Sequence, residues 1–130
     1  ESLLKNISKL LNDKKVVFSS KSFEKVMADE KEAFYYLDPP YRPISKTSSF
    51  TDYTKKSFDD EMQLSLKDYC DKVDEKGSFF MQSNSYSEDG FFQNLYQNRK
   101  INKLKVMRTI SADGTKRNKV KEIIIRNYEG

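Results

Sequence analysis

An α/β domain on a mixed sheet, closing in an antiparallel hairpin, follows from three features of this sequence of 130 residues. Between residues 16 and 82, short apolar runs of strand type alternate with stretches of helical period, the pattern of strands joined by crossover helices. Those runs stop at prolines or at serine and asparagine clusters, which suit strand ends. After residue 100 the pattern changes to two apolar runs of strand type separated by Asp113-Gly114, a turn signal.

Each element has its own signal. Leu3, Leu4, Ile7, Leu10 and Leu11 recur at helical spacing, and Asn12-Asp13 ends that helix. A helix that opens on Glu1, without an initiator methionine or a cap, suggests a chain cut from something longer. Val16-Val17-Phe18 predicts a short strand with Ser19, Ser20 and Ser22 at its end, and residues 22–29 predict a short helix carrying Phe23, Val26 and Met27. Phe34 to Leu37 predicts a strand, stopped by Pro39 and Pro40, because proline donates no ladder hydrogen bond. Residues 42–57 form a long polar loop with Phe50 and Tyr53 embedded. A loop of that length in a compact domain is usually functional, and lysines, hydroxyls and isolated aromatics suit phosphate and base contacts. Two aromatics tucked onto the core would give the same pattern.

Ser57-Phe58-Asp59-Asp60 resembles a capping box and starts a helix running to about Val73, with Met62, Leu66, Tyr69, Cys70 and Val73 as its buried stripe. Cys70 is thereby expected in the core and not as a nucleophile. Gly77 breaks the chain, and Ser78 to Gln82 predicts a buried strand ending at Ser83-Asn84-Ser85. Residues 88–96 give a short helix with Phe91, Phe92 and Leu95. Lys103 to Ser111 alternates, with Leu104, Val106 and Ile110 on one face. Val120 to Tyr128 returns, and Ile123-Ile124-Ile125 predicts burial on both faces.

The chemistry centres on Asp38-Pro39-Pro40-Tyr41. In an open α/β sheet, ligands sit at the carboxyl ends of strands. There a carboxylate, a main-chain carbonyl and an aromatic ring suit methylation of an exocyclic amine. Such an amine is a poor nucleophile because its lone pair is delocalised into the ring. The Asp38 carboxylate can accept one N–H, and the carbonyl of Asp38 or Pro39 the other, which localises the lone pair. Tyr41 offers a flat surface for the base. No general base of matched pKa is demanded, which fits a chain without histidine. An ordinary Pro-Pro turn would carry the same four letters.

Composition narrows the setting. Hydrophobic content of 36% and charged content of 34% are polar for a globular chain, but eight tyrosines and nine phenylalanines argue against disorder. No apolar run approaches the ~20 residues of a membrane-spanning helix, and no signal-peptide pattern is present, so no membrane partner and a cytoplasmic location are the default expectations. A single cysteine and no histidine exclude an internal disulfide and argue against a metal site. The net charge of +4 is segregated. Residues 99–121 hold nine Lys/Arg and one acid, so that segment is +8 and the rest is −4. Such segregation points to a polyanion, with a lysine-protected hairpin edge as the plainer explanation.

Together these residues resemble the carboxyl-terminal part of a Dam-like, N6-adenine-specific DNA methyltransferase. The likeness covers about residues 16–128. It rests on Asp38-Pro39-Pro40-Tyr41, the loop from Arg42 to Tyr53, Ser83-Asn84, and the stretch from Arg108 through Gly114 into Lys116–Glu122. The resemblance implies a partial Rossmann-like class I methyltransferase sheet, mixed, with a carboxyl-terminal antiparallel β-hairpin. It implies S-adenosyl-L-methionine as methyl donor. The implied partner is double-stranded DNA with an adenine, often within GATC, flipped out of the stack, since a paired N6 amine is otherwise inaccessible. By the same resemblance Asp38, Pro39, Pro40 and Tyr41 are catalytic, with Asp38 also touching the cofactor. Ser20 and Phe23 fall where a further cofactor contact belongs. Lys46, Ser48, Phe50, Tyr53, Asn84, Arg108, Lys116, Arg117 and Lys119 would meet DNA, each phosphate contact steepening the salt dependence.

The departures from the family matter as much. Its amino-terminal F-x-G-x-G cofactor loop, its acidic ribose contact and its base-reading insertion are absent, and none of the four glycines lies in such a motif. Residues 1–130 therefore look like the carboxyl-terminal portion of a catalytic domain, expected to come from a restriction-modification or Dam-like system, to be inactive alone and to self-associate through an exposed sheet edge. The alternative is a non-catalytic nucleic-acid-binding module, or a split subunit that needs a second chain. Methylation of a glutamine side chain or an RNA base is a third reading, against which the loop and hairpin blocks argue.

Overall fold

The computed structural model describes residues 2–26, 28–43, 58–107 and 119–129, with side chains at all of these except 106, 107, 119 and 120. The elements are α1 (Ser2–Asp13), β1 (Phe34–Leu37), α2 (Asp60–Glu75), β2 (Phe79–Ser85), α3 (Phe91–Leu95), β3 (Lys100–Met107) and β4 (Lys119–Arg126), with a single 3-10 turn at Phe23–Lys25. Strand order is β1-β2-β4-β3. β1 and β2 are parallel, as the helix between them requires, and the β2–β4 and β3–β4 pairs are antiparallel. The expected α/β class, mixed sheet and carboxyl-terminal antiparallel pair are all present.

The core lies on one face of the sheet. Register places Tyr35 beside Phe80, Leu37 beside Gln82, Gln82 beside Ile125 and Asn84 beside Ile123. Period-2 alternation then sends Phe80, Ile123 and Ile125 to the same side. They meet Tyr69, Cys70 and Val73 of α2, together with Phe92 and Tyr96. Phe23 packs onto this cluster, its ring 5.9 Å from that of Tyr69 and 6.1 Å from that of Phe58. On the opposite face Phe34, Tyr36 and Phe79 remain exposed.

Several elements differ from expectation for identifiable reasons. Val16-Val17-Phe18 is not a strand; Val17 and Phe18 are exposed at 86% and 80%, and three apolar residues with no neighbouring strand among the described residues gain nothing from extension. The helix expected over 22–29 is one 3-10 turn, and Met27 lies outside the described residues. α1 forms, yet none of its residues is buried. α2 is capped by Asp59, whose side chain accepts from the Met62 amide, and it runs two residues past Val73. Its buried stripe takes Gln63 where Met62 was expected. Ser83, Asn84 and Ser85 lie inside β2, held by pairing with Ile124, Ile123 and Glu122. β3 begins three residues before Lys103. Ile124 is only half-buried, so the isoleucine run is buried on one face and not on both. The turn at Asp113-Gly114 and Ile110 lie outside the described residues. Among the described residues no helix is long and apolar enough to cross a membrane.

Candidate active site

Strand β1 ends where Pro39 and Pro40 remove two ladder donors, and the chain turns across the carboxyl end of β2. Asp38 therefore stands at the rim of the sheet, exposed, next to the last β1–β2 pair, Leu37 with Gln82. Its Oδ1 accepts from Ser83 Oγ at 2.7 Å. The Tyr41 hydroxyl donates to Glu122 Oε2 of β4 at 3.4 Å. Burial pushes the Tyr41 phenol above its usual range; Ser83 opposes this, while Glu122 and Asp38 add to it. The phenol is accordingly neutral at physiological pH, a ring with a tethered hydroxyl and not a base.

The polar end of β2 holds the segment that follows. Arg42 N donates to Asn84 Oδ1 at 3.0 Å, Ser85 Oγ donates to the Arg42 carbonyl at 2.6 Å, and Asn84 Nδ2 donates to Gln63 Oε1 at 3.2 Å. Gln63 Nε2 reaches the Pro40 carbonyl at 3.4 Å. The Arg42 guanidinium makes a bidentate pair with Asp60 and a single bond to Asp89. Asp89 is held down to about 2, first by the Phe91 amide and then by Arg42 and Ser87. Asp60 is lowered chiefly by its hydrogen bond to Arg42.

The expected site residues fall into three groups. Asp38, Pro39, Pro40 and Tyr41 are gathered at the rim. Asn84, expected at DNA, is fully buried, and its amide is committed to Arg42, Ser85 and Gln63, so it shapes the rim from inside. Lys46, Ser48, Phe50, Tyr53, Arg108, Lys116 and Arg117 lie outside the described residues, as does the side chain of Lys119. For a cofactor, Asp38 and Ser20 are exposed, whereas Phe23 is half-buried and packed edge-on to Tyr69. Cys70 is fully buried and pushed up to about 12 by that burial, so it stays a thiol in the core. Sequence reasoning missed the roles of Ser83, Gln63, Arg42 and Glu122. The hydroxyl and amide cluster at the end of β2 was visible, but its partners were not. A polar hollow of 540 Å³ between the second half of α2 and residues 94–99 is lined in part by Lys67, Asp71, Asp74 and Arg99, which pair with one another along its wall, and it includes no rim residue.

Comparison with known proteins shows the family. Residues 1–110 match the family model of the D12 class N6 adenine-specific DNA methyltransferases. The chain is 43% identical over 129 residues to the type II methyltransferase M.MjaIII of Methanocaldococcus jannaschii, covering 98% of this chain and 44% of that protein. It is 40% identical to the type II methyltransferase M1.LlaDCHI of Lactococcus lactis subsp. cremoris, covering 97% and 44%. It is 34% identical to the DNA adenine methylase of Escherichia coli K12, covering 82% and 38%. The chain thus spans less than half the length of these relatives.

Proposed function

The chain belongs to the D12 class of N6 adenine-specific DNA methyltransferases, and from that premise we propose that residues 1–130 carry the base-gripping portion of the catalytic domain of such an enzyme. The observation that supports this best is Asp38. It is exposed at the carboxyl end of β1, and among the described residues only Oδ1 is engaged, by Ser83. A second carboxylate oxygen remains for a substrate N–H.

In this reading a flipped adenine in double-stranded DNA places its N6 amine between the Asp38 carboxylate and the carbonyl of Asp38 or Pro39. Accepting both N–H bonds draws the nitrogen toward tetrahedral geometry and localises its lone pair. Tyr41, its hydroxyl tethered to Glu122, presents its ring to the base. Such stacking contributes ~1–3 kcal/mol per base. Ser83 holds Asp38 in orientation. The surplus N6 proton is left beside the Asp38 carboxylate and passes to solvent, so no basic side chain is needed. S-adenosyl-L-methionine, when bound, would supply an electrophilic methyl group on a sulfonium. Asp38 and Ser20 would meet it, with Phe23 offering one ring edge. DNA phosphates would be met by Lys46, Ser48, Arg108, Lys116, Arg117 and Lys119, with Phe50 and Tyr53 against bases.

The test is methyl transfer by the complete polypeptide that carries this sequence. N6-methyladenine should appear in an adenine-containing duplex and not in RNA or protein. Transfer to a protein glutamine, or to no duplex at all, would overturn the assignment. The apolar stripe of α1, none of which is buried, favours one second reading, a module that works only with a second chain. In that case activity appears only when the second chain is added.

A further inference from the structure

Arg42 is the first basic residue after Tyr41 and heads a lysine-bearing polar stretch, so its sequence position invites a role as a phosphate contact. Its surroundings say otherwise. The side chain is 17% exposed. Nε lies 2.6 Å from Asp60 Oδ1 and Nη2 3.0 Å from Asp60 Oδ2, while Nη1 lies 2.6 Å from Asp89 Oδ2. The guanidinium carbon sits 4.2 Å over the Phe91 ring. Two carboxylates and an aromatic face therefore use both edges and one face of the fork, and the two negative charges more than offset its one positive charge. The main chain is fixed as well, the amide by Asn84 and the carbonyl by Ser85. One residue adjacent to Tyr41 is thus anchored from β2, from the first turn of α2 and from the chain just before α3. The Arg42–Asp60 pair also joins the two ends of the 43–59 segment.

We infer that Arg42 is a positioning residue for the methyl-transfer site, holding Tyr41 and the preceding carbonyls at the sheet rim, and is not a DNA contact. This rests on the function proposed above. A lysine at 42 would keep the charge but lose the bidentate fork, so it should recover only part of the effect.

The experiment uses the complete polypeptide and the variants Arg42→Met, Arg42→Lys, Asp89→Asn and the double variant Asp60→Asn/Asp89→Asn. It measures kcat, KM for an adenine duplex and the salt dependence of duplex binding. Displacing a catalytic group by an ångström costs about 100-fold, so Arg42→Met should lower kcat by about 10- to 100-fold while KM for duplex stays within about threefold. Its slope of log affinity against log salt should match that of the wild type. The double variant should reproduce the kcat loss, adding Arg42→Met to it should cost nothing more, and Arg42→Lys should fall between. A slope reduced by about one unit with kcat unchanged would make Arg42 a phosphate contact and overturn the inference. An Arg42→Met enzyme with wild-type kcat would overturn it too. If Arg42→Met fails to fold, Asp89→Asn, which removes a single anchor, must still lower kcat. A wild-type protein that methylates no duplex adenine would instead overturn the function reading, and this inference with it.

Discussion

Under the proposed function, the chemistry at Asp38 depends on a carboxylate that is both accessible and fixed in orientation. Its exposure means that little of the fold depends on it, and the Ser83 hydroxyl at 2.7 Å supplies the orientation. Asp38→Asn should therefore lower methyl transfer by roughly 100- to 1000-fold, the usual loss of one preorganised electrostatic partner. Unfolding free energy should change by no more than about 0.5 kcal/mol. Transfer assays and urea titrations on the same preparations check the pair. Asp89 behaves oppositely. Its carboxyl is depressed to about 2 from an ordinary 3.8. A depressed carboxylate contributes stability above its unfolded value and loses that contribution as pH falls through the folded one. Its side chain is 51% exposed, so screening limits the effect to about 1 kcal/mol or less. Wild type should be more stable than Asp89→Asn at pH 7, and the gap in urea titrations should close between pH 4 and pH 2. A gap that persists at pH 2 would mean that ionisation is not its source. Asp38 through Tyr41 were legible because they are contiguous. Ser83 and the Arg42 anchors were not, because their partners lie 18 to 47 residues away in sequence.

The elements were legible where the apolar pattern was long, and misread where a short run needed a neighbour. α2 shows this: four of its five expected core residues are buried, and Gln63 joins them because Asn84 Nδ2 donates to its side-chain carbonyl at 3.2 Å. Val16-Val17-Phe18 shows the reverse, since strand propensity in three residues expresses itself only beside another strand. Serine and asparagine usually mark turns, so Ser83-Asn84-Ser85 predicts the end of the strand. In the protein, Ser83 and Ser85 spend their hydroxyls on Asp38 and on the Arg42 carbonyl, so the strand itself carries the site's scaffold. β2 is then the element on which both core and rim depend. Phe80, at 0% exposure, packs in the cluster of Tyr69, Val73, Phe92 and Ile123. Phe80→Ala should lower unfolding free energy by about 3–5 kcal/mol. A loss under 1 kcal/mol in a urea titration would mean that the cluster is not the core of the described fold.

The whole molecule has one covered sheet face and one open. Helices α2 and α3 cover the first, while Phe34, Tyr36 and Phe79 on the second are exposed at 56%, 60% and 48%. β1 pairs with β2 on one side and, among the described residues, with nothing on the other. α1 exposes Leu3 and Leu4 at 68% and 71%. An apolar face beside an edge that is unpaired among the described residues invites association. Relatives more than twice as long as this chain provide a reason for it, because the matched region is less than half of each of them. Two outcomes follow for the 130-residue chain studied by itself. Small-molecule sites bury most of their ligand, and of the residues proposed to meet the methyl donor Asp38 and Ser20 are exposed. Calorimetry with S-adenosyl-L-methionine should accordingly detect no micromolar binding. Sedimentation should show association that grows with concentration, and Phe34→Lys, placed on the open face, should suppress it. A monodisperse monomer at high concentration would rule out the open face as the cause. Micromolar cofactor binding would show that the described rim is already a complete pocket, and the chain would then need no further residues to hold its methyl donor.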